Sequence, residues 1–236
     1  MSRRRWIADE VSGNRAALTG EHAEHLSRVL RARVGQEFEI TTGENVRRGR
    51  VTRIDPNRVE FELGDEITAT ATPNVKLALS IFKFDRMEWA IEKCTELGAT
   101  RIVPVIASRT ETHLAAAASK RVERWQRIAR QASEQSRRYS PPQIDQPMKV
   151  PGTLALPGNT RIVLAESEQQ VMLREVLHHH SARDLVLAFG PEGGWIQSEL
   201  ELFRNAGWIS ASLGNTILRV ETAAIAALAV TLSELA

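Results

Sequence analysis

Two glycine-bearing segments hold the residue types of this chain that could do chemistry. The first reads Leu185-Val186-Leu187-Ala188-Phe189-Gly190-Pro191-Glu192-Gly193-Gly194-Trp195. An apolar run of strand length ends abruptly in glycines and a proline. Glycines at a strand end let backbone N–H and C=O groups come close to a ligand. In open α/β sheets, ligands sit outside the carboxyl ends of the strands. A tight strand-to-helix turn is the plainer reading, but such a turn needs only one glycine. The second segment reads Ala211-Ser212-Leu213-Gly214-Asn215-Thr216-Ile217-Leu218-Arg219-Val220-Glu221-Thr222-Ala223-Ala224. Again a strand ends in glycine, and Arg219, Glu221 and Thr222 stand at the entry of a strongly apolar helix. A Thr there is ordinarily a cap, and an Arg and a Glu two residues apart are ordinarily a solvated pair. Two glycine-bearing strand ends separated by one helix point to a shared site rather than to two independent turns.

Other chemistries lack their residues. No Gly-x-Gly-x-x-Gly follows a strand, no phosphate loop ends in Gly-Lys-Ser/Thr, and no Gly-x-Ser-x-Gly elbow occurs. Cys94 is the single cysteine, which excludes an intrachain disulfide and a cysteine-based zinc site within one chain. His178-His179-His180 cannot converge easily on one ion, and no metal is expected. His22 and His25 lie three apart on a helix, where a surface or capping role is the ordinary one.

The elements that must position the two segments follow from pattern. Residues 1–72 read as a small, mostly β unit. Phe38 and Ile40, then Val46, Val51, Ile54, Val59, Phe61 and Leu63, fall in short runs broken by Gly43, Asp55-Pro56-Asn57 and Gly64, which suggests a barrel or sandwich. One helix, Glu21–Leu30, interrupts them with Leu26, Val29 and Leu30 on its apolar side. Residues 64–74 read as a linker. From residue 73 to 236 strands alternate with helices. The strands are Val75–Phe82, Arg101–Ile106, Arg161–Ala165, Asp184–Phe189 and Trp208–Leu213; the helices are Arg86–Leu97, Lys120–Gln135, Gln197–Asn205 and Thr222–Leu235. That alternation predicts an α/β fold with a mainly parallel sheet. Residues 139–160 read as the one long irregular stretch.

With 236 residues, 42% hydrophobic and 25% charged, the chain has the composition of an ordinary globular protein of one large or two modest domains. No window approaches 18 uninterrupted apolar residues, so no membrane span is expected. The N-terminus lacks the apolar stretch of a signal peptide, and a cytoplasmic location is expected. Net charge is only +2. The basic residues are nevertheless overwhelmingly Arg, whose planar fork suits phosphate and bases. Residues 1–58 hold twelve Arg against eight acids, and residues 120–149 hold eight basic side chains against three acidic ones. A genome rich in G and C would also favour Arg, but two basic regions in a nearly neutral chain suggest an anionic partner such as nucleic acid.

Gly190-Pro191-Glu192-Gly193-Gly194, followed by Leu213-Gly214-x-x-Ile217-Leu218-Arg219-x-Glu221-Thr222-Ala223, resembles the C-terminal signature of the SPOUT methyltransferases. Within that superfamily the chain is most similar to the bacterial 16S ribosomal RNA uridine N3-methyltransferases. The segments that favour this family are Glu92-Lys93-x-Thr95-Glu96-Leu97-Gly98 and His25-Leu26-x-x-Val29-Leu30-Arg31, with Pro104, Arg109, Trp125 and Glu134-Gln135-Ser136 in the expected order. Three positions depart from the family pattern. Residues 83–86 read Lys-Phe-Asp-Arg where a glycine follows the Lys, Thr42-Gly43 stands for Asp-Gly, and Val220 stands where Thr is common.

The resemblance implies an N-terminal PUA-like β-barrel over residues 1–72, which binds RNA, and a C-terminal SPOUT domain over residues 73–236 with a deep trefoil knot. It implies that the knotted loops hold S-adenosylmethionine. Carried over residue by residue, the pocket comprises Leu164, Ala165 and Glu166; Phe189, Gly190, Pro191, Gly193 and Gly194; and Leu213, Gly214, Ile217, Leu218, Arg219, Thr222 and Ala223. Arg219 is the candidate for stabilising charge on the base, and Glu221 the candidate proton acceptor or Arg-orienting group; both could instead hold the knot closed. Arg5, Arg28, Arg31, Arg33, Arg137 and Arg138 are the expected phosphate contacts to 16S rRNA within the small subunit. Two further readings compete: a SPOUT enzyme methylating a ribose 2′-hydroxyl, and a ribosome-assembly factor that binds RNA without catalysis. The helix Thr222–Leu235 is apolar nearly all round, which predicts a homodimer covering its second side.

Overall fold

The structure is a computed structural model and describes residues 5–43, 45–67, 73–136, 138, 140–179 and 183–235. Its contacts divide the chain into two compact units. One comprises residues 1–71 with 133–140, and the other residues 72–132 with 141–236.

The first unit is a six-stranded sheet. Its strands are β1 (Arg5–Ile7), β2 (Glu10–Ser12), β3 (Arg15–Thr19), β4 (Glu37–Thr41), β5 (Val46–Asp55) and β6 (Arg58–Ile67), in the spatial order β1-β4-β5-β6-β3-β2. Only β1 and β4 pair in parallel. β1 and β2 are consecutive in the chain yet lie at opposite edges of the sheet. The few residues from Ile7 to Glu10 span at most about 10 Å, so the sheet must curl until its edges meet. Leu18, Ile40, Val51, Val59 and Phe61 fill the interior. The helix expected here is a short α1 (Gly20–Glu24) running into a π-turn, His25–Val29. Leu26 is buried as expected, but Val29 faces solvent at 64% exposure. β6 reaches Ile67, so the strand consumes the start of the expected linker; residues 68–72 lie outside the described residues.

The second unit is a parallel sheet with helices on both faces. The strands are β7 (Asn74–Ser80), β8 (Arg101–Ile106), β9 (Gln143–Ile144), β10 (Met148–Lys149), β11 (Thr160–Leu164), β12 (Asp184–Phe189) and β13 (Ile209–Ala211). Their order is β10-β8-β7-β12-β11-β13, with β9 also on β8, and every pairing is parallel. The helices are α2 (Phe84–Leu97), α3 (Thr112–Ala117), α4 (Val122–Gln135), α5 (Val150–Thr153), α6 (Leu173–His179), α7 (Gln197–Asn205) and α8 (Val220–Glu234). The stretch 139–160 is thus less irregular than expected, since β9, β10 and α5 lie within it. Side chains alternate across the strands. Leu77, Leu187 and Phe189 face the layer of α2, α4, α6 and α8, while Ala78, Val186 and Ala188 face the opposite layer with Phe203 and Trp208.

Two features bear on the path of the chain. Phe84, where the resemblance led to the expectation of a glycine, begins α2 with its ring edge-on to Trp125 at 6.0 Å and under the Arg121 guanidinium at 4.7 Å. The ring thereby packs the start of α2 against α4 and the turn before it. After the edge strand β13, the chain returns past the 165–172 loop, where Ser212 N–H donates to Val171 and Leu173 N–H donates to Ser212. It then enters α8, which packs on β7, β12, α2 and α6.

Candidate functional site

The register explains where the site lies. Leu164 pairs with Phe189 on one side and with Ala211 on the other. The three strands β12, β11 and β13 therefore end at one level, and the loops that follow them leave the sheet side by side. Together they surround a cavity of about 550 Å³, within the range of small-molecule sites. Strand order reverses between β8 and β12 on either side of β7, the kind of switch point where parallel sheets bind ligands.

The cavity brings together Leu164, Ala165, Glu166, Phe189, Gly190, Pro191, Gly193, Gly194, Leu213, Gly214, Ile217, Leu218 and Ala223. Arg219 and Thr222, also expected in the pocket, do not line it. Arg219 is the N-cap of α8 and solvent-exposed, and Thr222 points out from the first turn. Among the described residues no ion pair or side-chain hydrogen bond holds Arg219. Glu221 does not line the cavity either: it is 5% exposed, and its Oε2 has no hydrogen-bond partner.

The glycines serve different ends. A Cβ on Gly190 would lie 3.2 Å from both the backbone nitrogen and Nε1 of Trp195, so a side chain there would press on Trp195 and the loop would have to give by a few tenths of an ångström. Gly214 has open space around its Cα, but its φ of +133° is a conformation that L side chains rarely adopt.

Three residues that tie the cavity together were outside the expected site. Trp195 Nε1 donates to the Leu164 carbonyl at 3.1 Å, joining the loop after β12 to the end of β11. Glu199 is 4% exposed; it accepts the Ser108 N–H at 2.8 Å and the Ile196 N–H at 3.1 Å, joining the segment after β8 to the start of α7. Arg109 lines the cavity and donates to the Gly193 carbonyl. Arg109 stood in the sequence only as a family match, and Trp195 only as the residue after the glycines. Glu199 carried no signal, because Ser108 is distant in sequence and the residue three before it is Ile196 rather than a capping Ser or Thr.

Cys94 packs inside α2, and burial pushes its thiol up to about 12. The Glu92 and Glu96 carboxylates hold Lys93 above the usual lysine range. Among the described residues no three His, Cys, Asp or Glu side chains are grouped to hold a metal ion, and no helix is long and apolar enough to cross a membrane. His178 pairs with Glu234 at 3.2 Å, and His22 sits 3.4 Å from Asp9 and 3.3 Å from Glu134. His22 is thus a half-buried bridge within the first unit rather than a free surface residue.

The expected phosphate contacts have unequal surroundings. Arg5 pairs with Glu39, its cross-strand neighbour on β4, at 2.8 Å and is 14% exposed. Arg28 pairs with Glu24. Arg31 and Arg33 are exposed with no ion pair among the described residues, and Arg31 is the one described non-glycine residue with a positive φ, +51°. Arg138 is mostly buried, which lowers its guanidinium to about 10. Arg137 lies outside the described residues. Arg50, not among the expected contacts, extends its guanidinium to the Gly35 turn of the same loop as Arg33.

A curled sheet in one unit, and in the other a parallel sheet with a glycine-lined cavity at its carboxyl edge, are the architecture of an RNA methyltransferase of the SPOUT class, as the comparisons with known proteins show. The family model of the RNA methyltransferase domain matches residues 70–232, and that of the RNA methyltransferase PUA domain matches residues 18–64. The ribosomal RNA small subunit methyltransferase E of Synechocystis is 35% identical over 227 residues, covering 90% of this chain and 71% of that one. That of Rickettsia conorii is 31% identical, covering 88% and 85%. A crystal structure of the Neisseria gonorrhoeae ribosomal RNA small subunit methyltransferase E bound to S-adenosyl methionine superposes with a TM-score of 0.84 at 32% identity, covering 97% of this chain and 96% of that one. A putative methyltransferase of Legionella pneumophila in complex with the same cofactor gives 0.84 at 26% identity, covering 99% and 98%. The chain belongs to the ribosomal RNA small subunit methyltransferase E family.

Proposed function

We propose that the protein transfers a methyl group from S-adenosylmethionine to N3 of a uridine in 16S ribosomal RNA, within the small subunit and in the cytoplasm. The observation that carries the reading is the cavity formed by three loops leaving β11, β12 and β13 at one level, and the overall likeness to a relative of the same family solved with that cofactor supports it. The donor set fits the cofactor. Backbone groups and glycines suit a close-fitting ligand, Glu166 and Glu168 offer negative charge to a cationic sulfonium and ammonium, and Arg109 offers a cation to a carboxylate. Bound there, S-adenosylmethionine supplies an electrophilic methyl group.

The chain's own residues must do the rest. N3 of uridine carries a proton and is a poor nucleophile while it keeps it. The site has to orient the base, accept that proton and stabilise the negative charge spread onto the uracil oxygens. Arg219, an exposed cation at the start of α8, is the group for the charge. Glu221, a buried carboxylate two residues on with one oxygen unpartnered, is the acceptor; the expected role of orienting Arg219 falls away, because its ion pair is with Arg86. Arg31, Arg33 and Arg50 would track the RNA backbone from the first unit.

The protein acts as a homodimer in this reading. The sequence argument for it needs amendment, because α8 is covered on one side by the sheet and flanked by α2 and α6. Ala227 and Leu228 are fully buried within the chain itself, so Glu at either would unfold it rather than test association. The surface left for a second copy is Ala229 of α8, with Trp89 and Leu97 of α2 at 47% and 39% exposure. Ala229→Glu should yield a folded monomer with impaired methyl transfer. A wild type that sediments as a monomer at micromolar concentration with full activity would refute the dimer.

The function is tested by incubating purified protein with small ribosomal subunits and labelled S-adenosylmethionine, then digesting the RNA to nucleosides. The expected product is 3-methyluridine. A 2′-O-methylated nucleoside would shift the reading to ribose methylation. Absence of cofactor binding in calorimetry would support a non-catalytic assembly factor.

A further inference from the structure

Arg86 stands in the first turn of α2, outside the cavity, between acidic residues of two different cavity loops. Its Nη1 donates to Glu192 Oε1 at 3.2 Å, and its Nε lies 3.8 Å from Glu221 Oε1. Glu192 is flanked by Pro191 and Gly193, which line the cavity, and Glu221 follows Val220, which also lines it. The guanidinium therefore spans from the loop after β12 to the start of α8. No backbone hydrogen bond found among the described residues makes that connection.

The charges of the cluster do not balance: one guanidinium faces two carboxylates. Glu192 and Arg86 are about one-third exposed, whereas the Glu221 side chain is 7% exposed. A carboxylate removed from water needs a cation or donors close by. Among the described residues Arg86 is the one cation within 4 Å of Glu221, and Glu221 Oε2 still lacks a donor. The carboxylate that the proposed reaction needs is thus ion-paired through Oε1 with a residue outside the cavity, which leaves Oε2 free to accept, and that residue is tied in turn to the pocket loop. The fork of Arg allows this, since two different nitrogens address two carboxylates, whereas Lys offers a single point charge.

We propose that Arg86 is a positioning residue for methyl transfer, bridging Glu192 of the cofactor loop to Glu221 so that the filled pocket and the proton acceptor are set in one frame. The inference rests on the function proposed above.

The test compares Arg86→Gln, Arg86→Lys, Glu192→Gln and the double variant R86Q/E192Q. Three quantities are measured: cofactor affinity by calorimetry, melting temperature, and the single-turnover rate on small subunits with cofactor and RNA saturating. Arg86→Gln should lower the rate at least about tenfold while cofactor affinity changes less than about threefold. Arg86→Lys should fall between Arg86→Gln and the wild type. Glu192→Gln should slow the reaction by about threefold, and the double variant should be no slower than Arg86→Gln alone, because Glu192 acts through Arg86. An Arg86→Gln rate within twofold of wild type would overturn the proposal. So would a loss of cofactor affinity as large as the loss of rate, or effects of the two single variants that simply multiply. If Arg86→Gln does not fold, Glu192→Gln, a surface change, decides the matter by its rate alone. Product analysis separates this proposal from the one beneath it. A wild type that methylates a group other than uridine N3 refutes the function while the variant rates still judge the bridge, and a wild type with no transfer refutes both.

Discussion

Replacing Glu199 by Gln should loosen the cavity without touching it. The carboxylate is buried at 4% exposure and accepts two backbone N–H bonds, from Ser108 at 2.8 Å and from Ile196 at 3.1 Å. Ser108 precedes the cavity-lining Arg109, and Ile196 follows the cavity-lining Trp195. Gln has the same shape, but only one of its terminal atoms accepts a hydrogen bond; the other is an NH2 group that would oppose the second N–H. A hydrogen bond to a charged group contributes about 1.5–3 kcal/mol. A neutral amide is easier to bury than a carboxylate, which offsets part of the loss. The net destabilisation should be about 2 kcal/mol, or about 4–8 °C in melting temperature for a unit of this size. Cofactor affinity should fall about threefold to tenfold, since two walls of the cavity lose their common anchor. Glu199→Ala, which leaves both N–H groups unpaired, should cost about 3–5 kcal/mol. Tryptophan fluorescence can follow the melt, because Trp89, Trp125, Trp195 and Trp208 all belong to the second unit. A Glu199→Gln melting temperature within about 1 °C of wild type, with unchanged cofactor affinity, would show that the carboxylate does not tie these segments.

Other outcomes follow from the same geometry. Gly193→Val, whose Cβ would press on the Arg109 side chain at 3.2 Å, and Gly214→Val, at a φ of +133°, should each weaken S-adenosylmethionine at least about tenfold, or about 1.4 kcal/mol, by calorimetry; undiminished affinity in a folded variant would sink the assignment of those loops. Cys94, with its thiol pushed up to about 12 by burial, should resist thiol reagents at pH 8 until the chain unfolds. Because its folded value lies above the unfolded one, the stability it contributes is complete below about pH 8.5 and is lost as pH rises towards 12; prompt labelling of native protein would contradict the packing of α2. Arg31→Gln with Arg33→Gln should flatten the dependence of RNA affinity on salt by about two phosphate contacts while leaving cofactor affinity intact. An unchanged slope would make these arginines a solvated surface.

Much of the site was legible because glycine reports on backbone. Gly190 and Gly214 mark places where the chain has little room or an unusual φ, and a sequence displays both without any knowledge of partners. The strands also declared themselves, since Val186 to Phe189 must be buried on both faces to be apolar without alternation. What the sequence could not display is adjacency. Leu164, Phe189 and Ala211 are separated by long stretches of chain, and only the register of β11 with β12 and β13 brings their loops together. Glu199, Trp195 and Arg86 act across such distances, on Ser108, Leu164 and Glu192. Each looks in sequence like an ordinary helix or loop residue.

The same limit bears on α8. An apolar helix all round is normally enclosed on every side, and from sequence the missing cover could be assigned only to a second copy. The fold supplies most of it from within. α8 lies over β7 and β12 with α2 and α6 beside it, and Ala224, Ala227 and Leu228 are fully buried. Half-buried Ile225, Val230 and Leu232 pack against the same core. Hydrophobicity of α8 is therefore evidence for this sheet and its neighbouring helices. The case for a second copy passes to the side chains that the fold leaves bare. Of these, Trp89 lies one helical turn from Arg86, the residue that spans the cavity loops. A partner covering Trp89 would thus also screen the Arg86 bridge from water, strengthening its hold on Glu192 and Glu221. Association and catalysis should on that account fail together, and a monomeric variant that keeps full methyl-transfer rate would separate them.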